Sequence, residues 1–262
     1  MNLNLTGKRA FVCGSTQGLG KACAIELASL GCSVTLIARN AEKLMRTRDE
    51  LDRSGGQQHD VIVADFSHPF VLRDRVNEYL QLHAPVHILV NNTGGPPPGP
   101  VLDATPDEFT TAFAQHLICN QILVQAVVPS MKAAGYGRII NIISTSVKQP
   151  IVGLGVSNTI RGAVASWAKT LATELAPFGI TVNNVLPGMT RTQRLESLIK
   201  SKAEKSGKTV EQVTHEMIEE IPMGRIAMPQ EFAAAVAFLA SPAASYITGI
   251  NLPVDGGRTL CL

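Results

Sequence analysis

Residues 9–28, RAFVCGSTQGLGKACAIELA, decide the fold of this chain. An apolar, β-branched run leads into a glycine-rich turn, and an apolar segment of helix length follows it. Gly14, Gly18 and Gly20 have the spacing GxxxGxG. A helix N-terminus offers free backbone N–H groups and partial positive charge, and glycines let a pyrophosphate approach the backbone. The pattern predicts a strand–turn–helix unit that binds a nucleotide; the alternative is an ordinary turn.

Strand-like runs separated by longer helical segments recur along the whole chain. Helix-length segments include residues 19–30, 41–53 and 106–134, and the strand-like runs are RAFVCG, SVTLIA, DVIVAD, VHILVN, GRIINIIS, GITVNNVLP and GINLPVD. The runs are apolar nearly throughout, which is typical of strands that are covered on both faces. The alternation predicts an α/β fold, a Rossmann-type doubly wound parallel sheet of about seven strands with helices on both faces.

Composition limits the class of protein. The chain has 262 residues, of which 45% are hydrophobic and 17% charged, so we expect a single domain over residues 1–262. A net charge of +2 gives no reason to expect nucleic acid as a partner. The five cysteines have no metal-ligand spacing and are expected to be buried thiols in a reducing compartment. No signal sequence and no apolar run of ~18 residues is recognised, which predicts a soluble, cytoplasmic protein without a membrane partner.

Two segments interrupt the alternation. NNTGGPPPGP, residues 91–100, is expected to be a stiff, extended loop because it contains three consecutive prolines. Residues 190–223 are predicted to form two short amphipathic helices around KSGK and to serve as a lid over a substrate. Charges there usually form a solvated helix face. The alternative is that the basic half guides an anionic substrate, such as a phosphopantetheine thioester, with Arg191, Arg194, Lys200, Lys202, Lys205 and Lys208.

The residue after the second predicted strand indicates which nucleotide is bound. An NAD site usually has a carboxylate about 20 residues beyond the glycines, where it binds the ribose 2′-OH. This chain has Arg39 there, in LIARN, and no carboxylate. An arginine would bond a 2′-phosphate through charge-assisted hydrogen bonds. The sequence therefore predicts NADP(H) over NAD(H), with a solvated surface arginine as the alternative.

Five motifs in the right order resemble those of the short-chain dehydrogenase/reductase family over essentially the whole chain. They are GSTQGLG, the acid in VADF, NNTGG, PGMTRT and SYITGINLPVDGG. Within the family, the 3-oxoacyl-thioester reductases are the most similar. The resemblance implies a homo-oligomer, a tetramer or a dimer, and a cofactor site made of Gly14, Ser15, Gln17, Gly18, Leu19, Gly20, Arg39, Asp65, Phe66, Asn91, Gly94, Arg161, Pro187, Gly188, Thr190 and Thr192.

The same resemblance implies a catalytic tetrad of Asn, Ser, Tyr and Lys, and this chain departs from it at three positions. Ser144 keeps the serine. The tyrosine position holds Ser157, the lysine position holds Arg161, and the asparagine position holds His116. Ser157 cannot replace the phenol as an acid, because an aliphatic hydroxyl is far less acidic and shorter in reach. Arg161 can bind the nicotinamide ribose and supply fixed positive charge, but it does not release a proton.

Three candidates for the missing proton donor remain open. His116 is attractive because an imidazole ordinarily titrates near neutrality, although a packed histidine is the commoner case. Ser144 and Ser157 could orient a water that relays the proton. Lys148, after the fifth strand, is the third candidate, although exposure is the usual fate of a lysine.

Three functions follow from these residues. The first is an NADP(H)-dependent oxidoreductase acting on a carbonyl or alcohol, with a non-standard proton donor. The second is a catalytically weak NADP(H) sensor or structural relative, which would explain the missing tyrosine directly. The third is the halohydrin dehalogenase branch, which uses Ser, Tyr and Arg without a redox cofactor; Arg161 resembles that branch, but the retained glycine-rich turn does not.

Overall fold

The computed structural model describes residues 1–83 and 85–261, and its centre is a parallel sheet of seven strands in the order β3-β2-β1-β4-β5-β6-β7. Every neighbouring pair is parallel. The predicted doubly wound sheet is therefore confirmed. The strands are β1 Arg9–Cys13, β2 Ser33–Ala38, β3 Asp60–Val63, β4 Ile88–Asn91, β5 Gly137–Ile142, β6 Ile180–Pro187 and β7 Asn251–Val254.

Helices connect the strands and cover both faces of the sheet. They are α1 Gly18–Ser29, α2 Ala41–Asp49, α3 Pro69–Leu82, α4 Pro106–Phe113, α5 Cys119–Ala134, α6 Gly155–Leu175, α7 Gln193–Ser206, α8 Val210–Glu219 and α9 Pro229–Ala240. The two helices predicted around KSGK are present as α7 and α8. The second predicted helix ends at Asp49, four residues earlier than expected. Leu51 is the last apolar residue before Gly55 and Gly56, so a longer helix would have no apolar face to pack.

Side chains of β1 alternate between two hydrophobic cores, one on each face of the sheet. Ala10 and Val12 belong to the core beneath α1 and α9, together with Phe232. Phe11 and Cys13 belong to the core beneath α3 and α5. A strand with apolar side chains on both faces must be covered on both sides, so the continuous apolar pattern follows from this packing.

The helix predicted over residues 106–134 is divided by a π-helical turn at Ala114–Ile118. The capping box of Thr105 and Glu108 starts α4, and the wide turn then leads into α5. By length and a mean hydropathy of 1.2, the stretch Pro106–Ala134 could cross a membrane, a test that core helices of soluble proteins also pass. Here α5 places Leu123 and Val127 in the core against the sheet.

The prediction that the five cysteines are buried is correct for four of them. Cys13, Cys23, Cys32 and Cys119 are buried free thiols, as predicted, whereas Cys261 is exposed. The difference arises because Cys261 lies beyond β7, where no helix covers the chain.

The strand order reverses between β1 and β4, where the chain crosses to the other half of the sheet. Loops that leave the carboxyl ends of these strands diverge and open a crevice, which is the usual ligand site of a doubly wound sheet.

Candidate active site

Three glycines shape the turn between β1 and α1. Gly14 and Gly18 have φ angles of 56° and 55°, in the left-handed region that favours glycine. At Gly20 a Cβ would lie 2.3 Å from the Gly14 carbonyl oxygen. The turn is therefore drawn tightly against the first turn of α1, and the glycine spacing follows from that close approach.

The N-terminus of α1 lacks an anionic partner. Gln17 precedes the helix without capping it through its side chain, and the first turn contains no acidic residue. Ser15 is fully buried, and its Oγ has no hydrogen-bond partner. Since buried hydroxyls are nearly always paired, the unpaired hydroxyl and the free helix N–H groups suit a phosphate group. Leu19, predicted with them, packs against the hydrophobic core.

Arg39 stands at the carboxyl end of β2, directly after its last residue, with an exposed side chain. Among residues 1–83 and 85–261, it forms no ion pair. Asp65 lies just beyond the neighbouring strand β3, and the Ser67 backbone N–H, followed by the charge of Arg39, lowers the pKa of Asp65. Phe66 packs against the core under α3. The arginine is thus free to bind an added anion at this edge.

Four asparagines form a hydrogen-bonded row across the sheet. Asn91 of β4 donates Nδ2 to Oδ1 of Asn141 at 2.8 Å, and Asn141 donates to Asn184 of β6 at 2.9 Å. Asn184 in turn donates to Asn251 of β7 at 2.8 Å. These residues are in register on adjacent strands. Asn91, predicted to bind cofactor, therefore supports the sheet through Nδ2, while its Oδ1 has no partner.

Asn92 fastens the loop after β4 to the glycine-rich turn. Its Nδ2 donates to the carbonyl oxygens of Cys13 and Gly14 at 3.3 and 3.2 Å. At Gly94, where cofactor contact is predicted, a Cβ would have no neighbour within 4 Å, so the backbone there faces open space. The two loops that border the crevice are therefore tied to each other at their base.

His116 lies in the π-helical turn with only 1% of its surface exposed. Its Nδ1 is hydrogen-bonded to the Thr93 hydroxyl, and its Nε2 is buried without a partner. Burial, followed by the charges of Arg161 and Arg194, lowers the pKa of His116 to about 2. The imidazole is therefore neutral at physiological pH, which corrects the expectation that it titrates near neutrality. Wide helical turns of this kind are frequent at functional sites.

Ser144 and Ser157 approach the site from different elements. Ser144 lies two residues beyond β5, and its Oγ accepts a hydrogen bond from the Ser146 N–H at 3.0 Å. Its own hydroxyl proton is thus free to be donated. Ser157 lies near the start of α6 and is buried. Lys148, the third candidate donor, follows the short turn Thr145–Val147 that Ser144 caps.

Arg161 lies on the same buried face of α6 as Ser157, four residues further along, as predicted. It is 8% exposed, and its Nη1 donates to the carbonyl oxygen of Ile142, the last residue of β5, at 3.2 Å. Burial, followed by the charge of Arg194, lowers the pKa of Arg161 to about 10. Arg161 therefore remains a cation at neutral pH and is fixed between β5 and the π-helical turn.

The segment after β6 covers the glycine-rich turn. Pro187 ends β6, Gly188 follows it, and Thr190 is buried in a bridge to the residues before α9. The Thr192 hydroxyl caps α7, and a Cβ at Gly18 would lie 3.4 Å from the Thr192 methyl carbon. The predicted PGMTRT residues are thus placed beside the glycine-rich turn.

Arg194 reaches from the first turn of α7 to the loop after β4. Its Nη1 donates to the Gly95 carbonyl oxygen at 3.3 Å, and a Cβ at Gly95 would lie 2.7 Å from its Nη2. The glycine makes room for the guanidinium. The sequence predicted Arg194 only as one of six basic residues of the lid that could guide an anionic substrate, and its contact with the loop after β4 was not predicted.

Helix α6, which carries Ser157 and Arg161, contacts the π-helical turn that contains His116 and the short turn that Ser144 caps, and Arg161 is hydrogen-bonded to the last residue of β5. The roles of Asn92 and Thr93 were not predicted from the sequence, and neither was the asparagine row beyond Asn91. A signal existed for the row, because each strand from β4 to β7 carries an asparagine at the same register. Thr93 had no such signal, since its partner lies 23 residues away.

Comparisons with known proteins agree with the class of protein that the sequence motifs indicate. A family model described as enoyl-(acyl carrier protein) reductase matches residues 14–259. The 7alpha-hydroxysteroid dehydrogenase of Escherichia coli (strain K12) is 31% identical over 256 residues, which cover 98% of this chain and 96% of that protein.

Solved structures of related enzymes have the same fold as this chain. The L-sorbose reductase from Gluconobacter frateurii, complexed with NADPH and L-sorbose, has a TM-score of 0.93 at 28% identity, and the match covers 100% of both chains. A variant of actinorhodin polyketide ketoreductase with NADPH has a TM-score of 0.88 at 30% identity over 97% of both chains. The chain belongs to the short-chain dehydrogenase/reductase family, which confirms the resemblance found in its motifs.

Proposed function

We propose that this protein is an NADP(H)-dependent oxidoreductase that transfers hydride between the nicotinamide and a carbonyl or alcohol substrate. The observation that carries the proposal is the unpaired Ser15 hydroxyl beside the uncapped N-terminus of α1. Arg39, without a carboxylate partner, supports NADP(H) over NAD(H). The NADPH complexes of the two structural relatives support the same choice.

The chain's groups fit the charges of this cofactor. Ser15 and the N–H groups at the start of α1 would hold the pyrophosphate, because a helix N-terminus attracts anions. Arg39 would bind the 2′-phosphate in the position where NAD sites have an acid. Thr190 and Thr192 would close over the nicotinamide half. When bound, NADPH supplies the hydride, and the protein supplies orientation and electrostatics.

Arg161 provides fixed positive charge at the reacting end of the crevice. A preorganised cation stabilises the negative charge that develops on a carbonyl oxygen as it is reduced. The Ile142 carbonyl holds the guanidinium in place, so little reorganisation is needed. Ser144 adds a hydroxyl donor whose oxygen is already oriented by the Ser146 N–H.

His116 acts as a neutral hydrogen-bond donor. When the Thr93 hydroxyl donates to Nδ1, the imidazole proton resides on the unpartnered Nε2. A neutral imidazole with a lowered pKa polarises the substrate carbonyl in triosephosphate isomerase, which is a precedent for this role. The proton is relayed from solvent through a water that Ser144 and Ser157 orient; each group in such a relay receives a proton as it passes one on, so no strongly acidic side chain is needed.

Helices α7 and α8 form the lid over the substrate. They pack on each other through their own apolar cluster of Leu195, Ile199, Ala203, Val213 and Met217, separate from the two main cores. A unit with its own small core can move as a body, as lids do. Among the lysines predicted to guide an anionic thioester, Lys208 is ion-paired with Glu216, which reduces its contribution.

A cytoplasmic homo-oligomer is the assembly that the family resemblance implies for this chain. Fully exposed apolar side chains, Val152 and Tyr246 among them, support association with further copies. Size-exclusion chromatography with light scattering measures the assembly, and a monomer at working concentration would contradict it.

The second candidate is an NADP(H)-binding sensor or structural relative with weak catalysis. The observation that favours it is the replacement of the family's tyrosine by Ser157, since the loss of general acid catalysis typically lowers a rate by about 10²–10⁴. It shares the cofactor site with the first candidate and differs only in turnover.

Paired calorimetric titrations with NADPH and NADH test both candidates, followed by a screen of aldehydes, ketones and 3-oxoacyl thioesters. We expect micromolar binding of NADPH, at least about tenfold weaker binding of NADH, and NADPH oxidation with some carbonyls. Binding without turnover would establish the sensor. If neither nucleotide binds, both candidates are wrong.

A further inference from the structure

Two arginines at the reacting end of the crevice have no acidic partner among the described residues. Arg161 is buried and makes its recorded hydrogen bond to the Ile142 carbonyl. Arg194 is exposed at the rim and binds the Gly95 carbonyl. Seven other arginines lie in ion pairs, namely Arg46, Arg48, Arg53, Arg73, Arg75, Arg225 and Arg258. Arg9, Arg39, Arg138 and Arg191 share with this pair the lack of an ion pair among the described residues, but they lie away from His116.

The charges of both guanidinium groups affect the imidazole of His116. Besides burial, the charges of both Arg161 and Arg194 lower the pKa of His116, and the charge of Arg194 also contributes to lowering the pKa of Arg161. The cations thus repel each other beside a neutral imidazole, and neither is paired with a carboxylate among the described residues. A partly buried, uncompensated charge is unfavourable, and an added anion removes that cost.

The third group of this cluster, the His116 imidazole, also has an unsatisfied polar atom. His116 is 1% exposed, and its Nε2 has no partner. A ligand that reaches this atom must therefore offer a polar group as well as negative charge. Guanidinium groups bind a carboxylate in a bidentate manner, which gives orientation as well as attraction.

We propose that Arg194, reinforced by the charge of Arg161, binds a carboxylate of the substrate, so that the substrates of this enzyme are carbonyl compounds bearing a carboxylate. This inference rests on the proposed oxidoreductase function and names its substrate class. Arg194 lies on the lid helix α7 and contacts the loop after β4, so it links carboxylate binding to the position of the lid. Hydride transfer from NADPH and uptake of one proton convert the keto acid into a hydroxy acid.

The experiment uses matched pairs of substrates. The 2-oxo, 3-oxo and 4-oxo acids of five carbons are each compared with their methyl esters, which keep the carbonyl and lose the charge. We measure kcat/KM with NADPH and, independently of turnover, calorimetric binding to the NADP⁺-loaded protein. For wild type we expect at least one acid to be favoured over its ester by about 10- to 100-fold, the range of a charge-assisted hydrogen bond.

The Arg194→Gln variant should abolish the preference for the acid over its ester, measured as the ratio of their kcat/KM values, and the Kd for NADPH should stay within about twofold of wild type. Arg75→Gln, which deletes one exposed positive charge on α3, is the matched control and should retain the preference. Arg194→Lys keeps the charge but loses the bidentate geometry, so it should recover only part of the preference.

Each alternative outcome has one meaning. Equal treatment of acid and ester by wild type, or no binding of either, overturns the inference. If Arg194→Gln weakens NADPH and all substrates equally, the arginine binds a cofactor phosphate and the inference is wrong. Acids that bind through Arg194 but are never reduced support the carboxylate site and overturn the proposed oxidoreductase function.

Discussion

The Thr93 hydroxyl and the Nδ1 atom of His116 are hydrogen-bonded to each other inside the crevice, although 23 residues separate them in the chain. The bond ties the loop after β4 to the π-helical turn and leaves Nε2 as the free atom of the imidazole. Thr93 is thus the residue that positions the imidazole of His116.

Replacing Thr93 by valine is expected to lower kcat about 10- to 100-fold, because the imidazole loses both its orientation and its fixed tautomer. The Kd for NADPH should change much less than kcat, since the side-chain hydrogen bond of Thr93 goes to His116 and not to the glycine-rich turn. Thr93→Ser keeps the hydroxyl and should retain most of the activity. Steady-state kinetics with paired cofactor titrations measure the split; equal loss in the serine and valine variants would contradict the role.

His116 should make the fold sensitive to acid. Its pKa is about 2 in the folded protein, and the ordinary value of 6.5 applies to the unfolded chain. Below pH 6.5 the unfolded chain therefore binds a proton that the folded protein does not, and stability falls as pH falls. Between pH 6.5 and 5 the loss is about 2 kcal/mol.

The His116→Asn variant should show a shallower decrease of urea midpoints over the same pH range. The exposed His68→Asn is the control and should behave as wild type. An unchanged slope in His116→Asn would show that the imidazole is not held neutral by its surroundings. The same variant tests its role in turnover, because unchanged activity and an unchanged pH profile would remove His116 from the mechanism.

Ser15→Ala separates the cofactor site from the fold. The variant removes a buried hydroxyl that has no partner, so the free protein should be as stable as wild type or more stable. NADPH should bind about tenfold more weakly, because a phosphate loses a hydrogen bond worth about 1.5 kcal/mol. Thermal melts with and without NADPH measure both effects; a destabilised free protein with unchanged affinity would refute the assignment.

Arg39 should set the choice between the two nucleotides. Arg39→Ala is expected to weaken NADPH about 10- to 100-fold and to leave NADH unchanged, since only NADPH carries the 2′-phosphate. Arg39→Asp should reverse the preference, because an acid there binds the ribose hydroxyl. Calorimetric titration of both variants decides this, and equal losses for the two nucleotides would count against a contact with the 2′-phosphate.

The asparagine row predicts a large cost for Asn141. Asn141→Ala removes two hydrogen bonds and leaves buried polar atoms of Asn91 and Asn184 unpaired, so the free energy of unfolding should fall by about 2–4 kcal/mol. Asn77→Ala, at an exposed position of α3, should change it by less than about 0.5 kcal/mol. Urea denaturation of both variants makes the comparison, and similar midpoints would mean that the row does not stabilise the sheet.

The sequence predicted the sheet well because its strands are continuous apolar runs, as double coverage requires. The glycine-rich turn and the position of Arg39 at the end of β2 could be predicted, because both follow from local spacing. The Thr93–His116 bond and the reach of Arg194 to Gly95 were not predicted, since they join residues distant in sequence. The neutral state of His116 was also missed, because burial and two neighbouring cations set it, and none of these is visible in the residue type.

The π-helical turn at Ala114–Ile118 holds one more residue than an α-helical turn would. Deleting one residue of that turn other than His116 would restore regular helix and turn the side chains beside the deletion about the helix axis, because an α-helix advances about 100° per residue. The imidazole would then no longer meet Thr93, although every other side chain of the site had been kept. In this enzyme a deletion can thus disrupt the site without changing a catalytic side chain. Relatives should therefore be compared by the length of this helix as well as by its sequence.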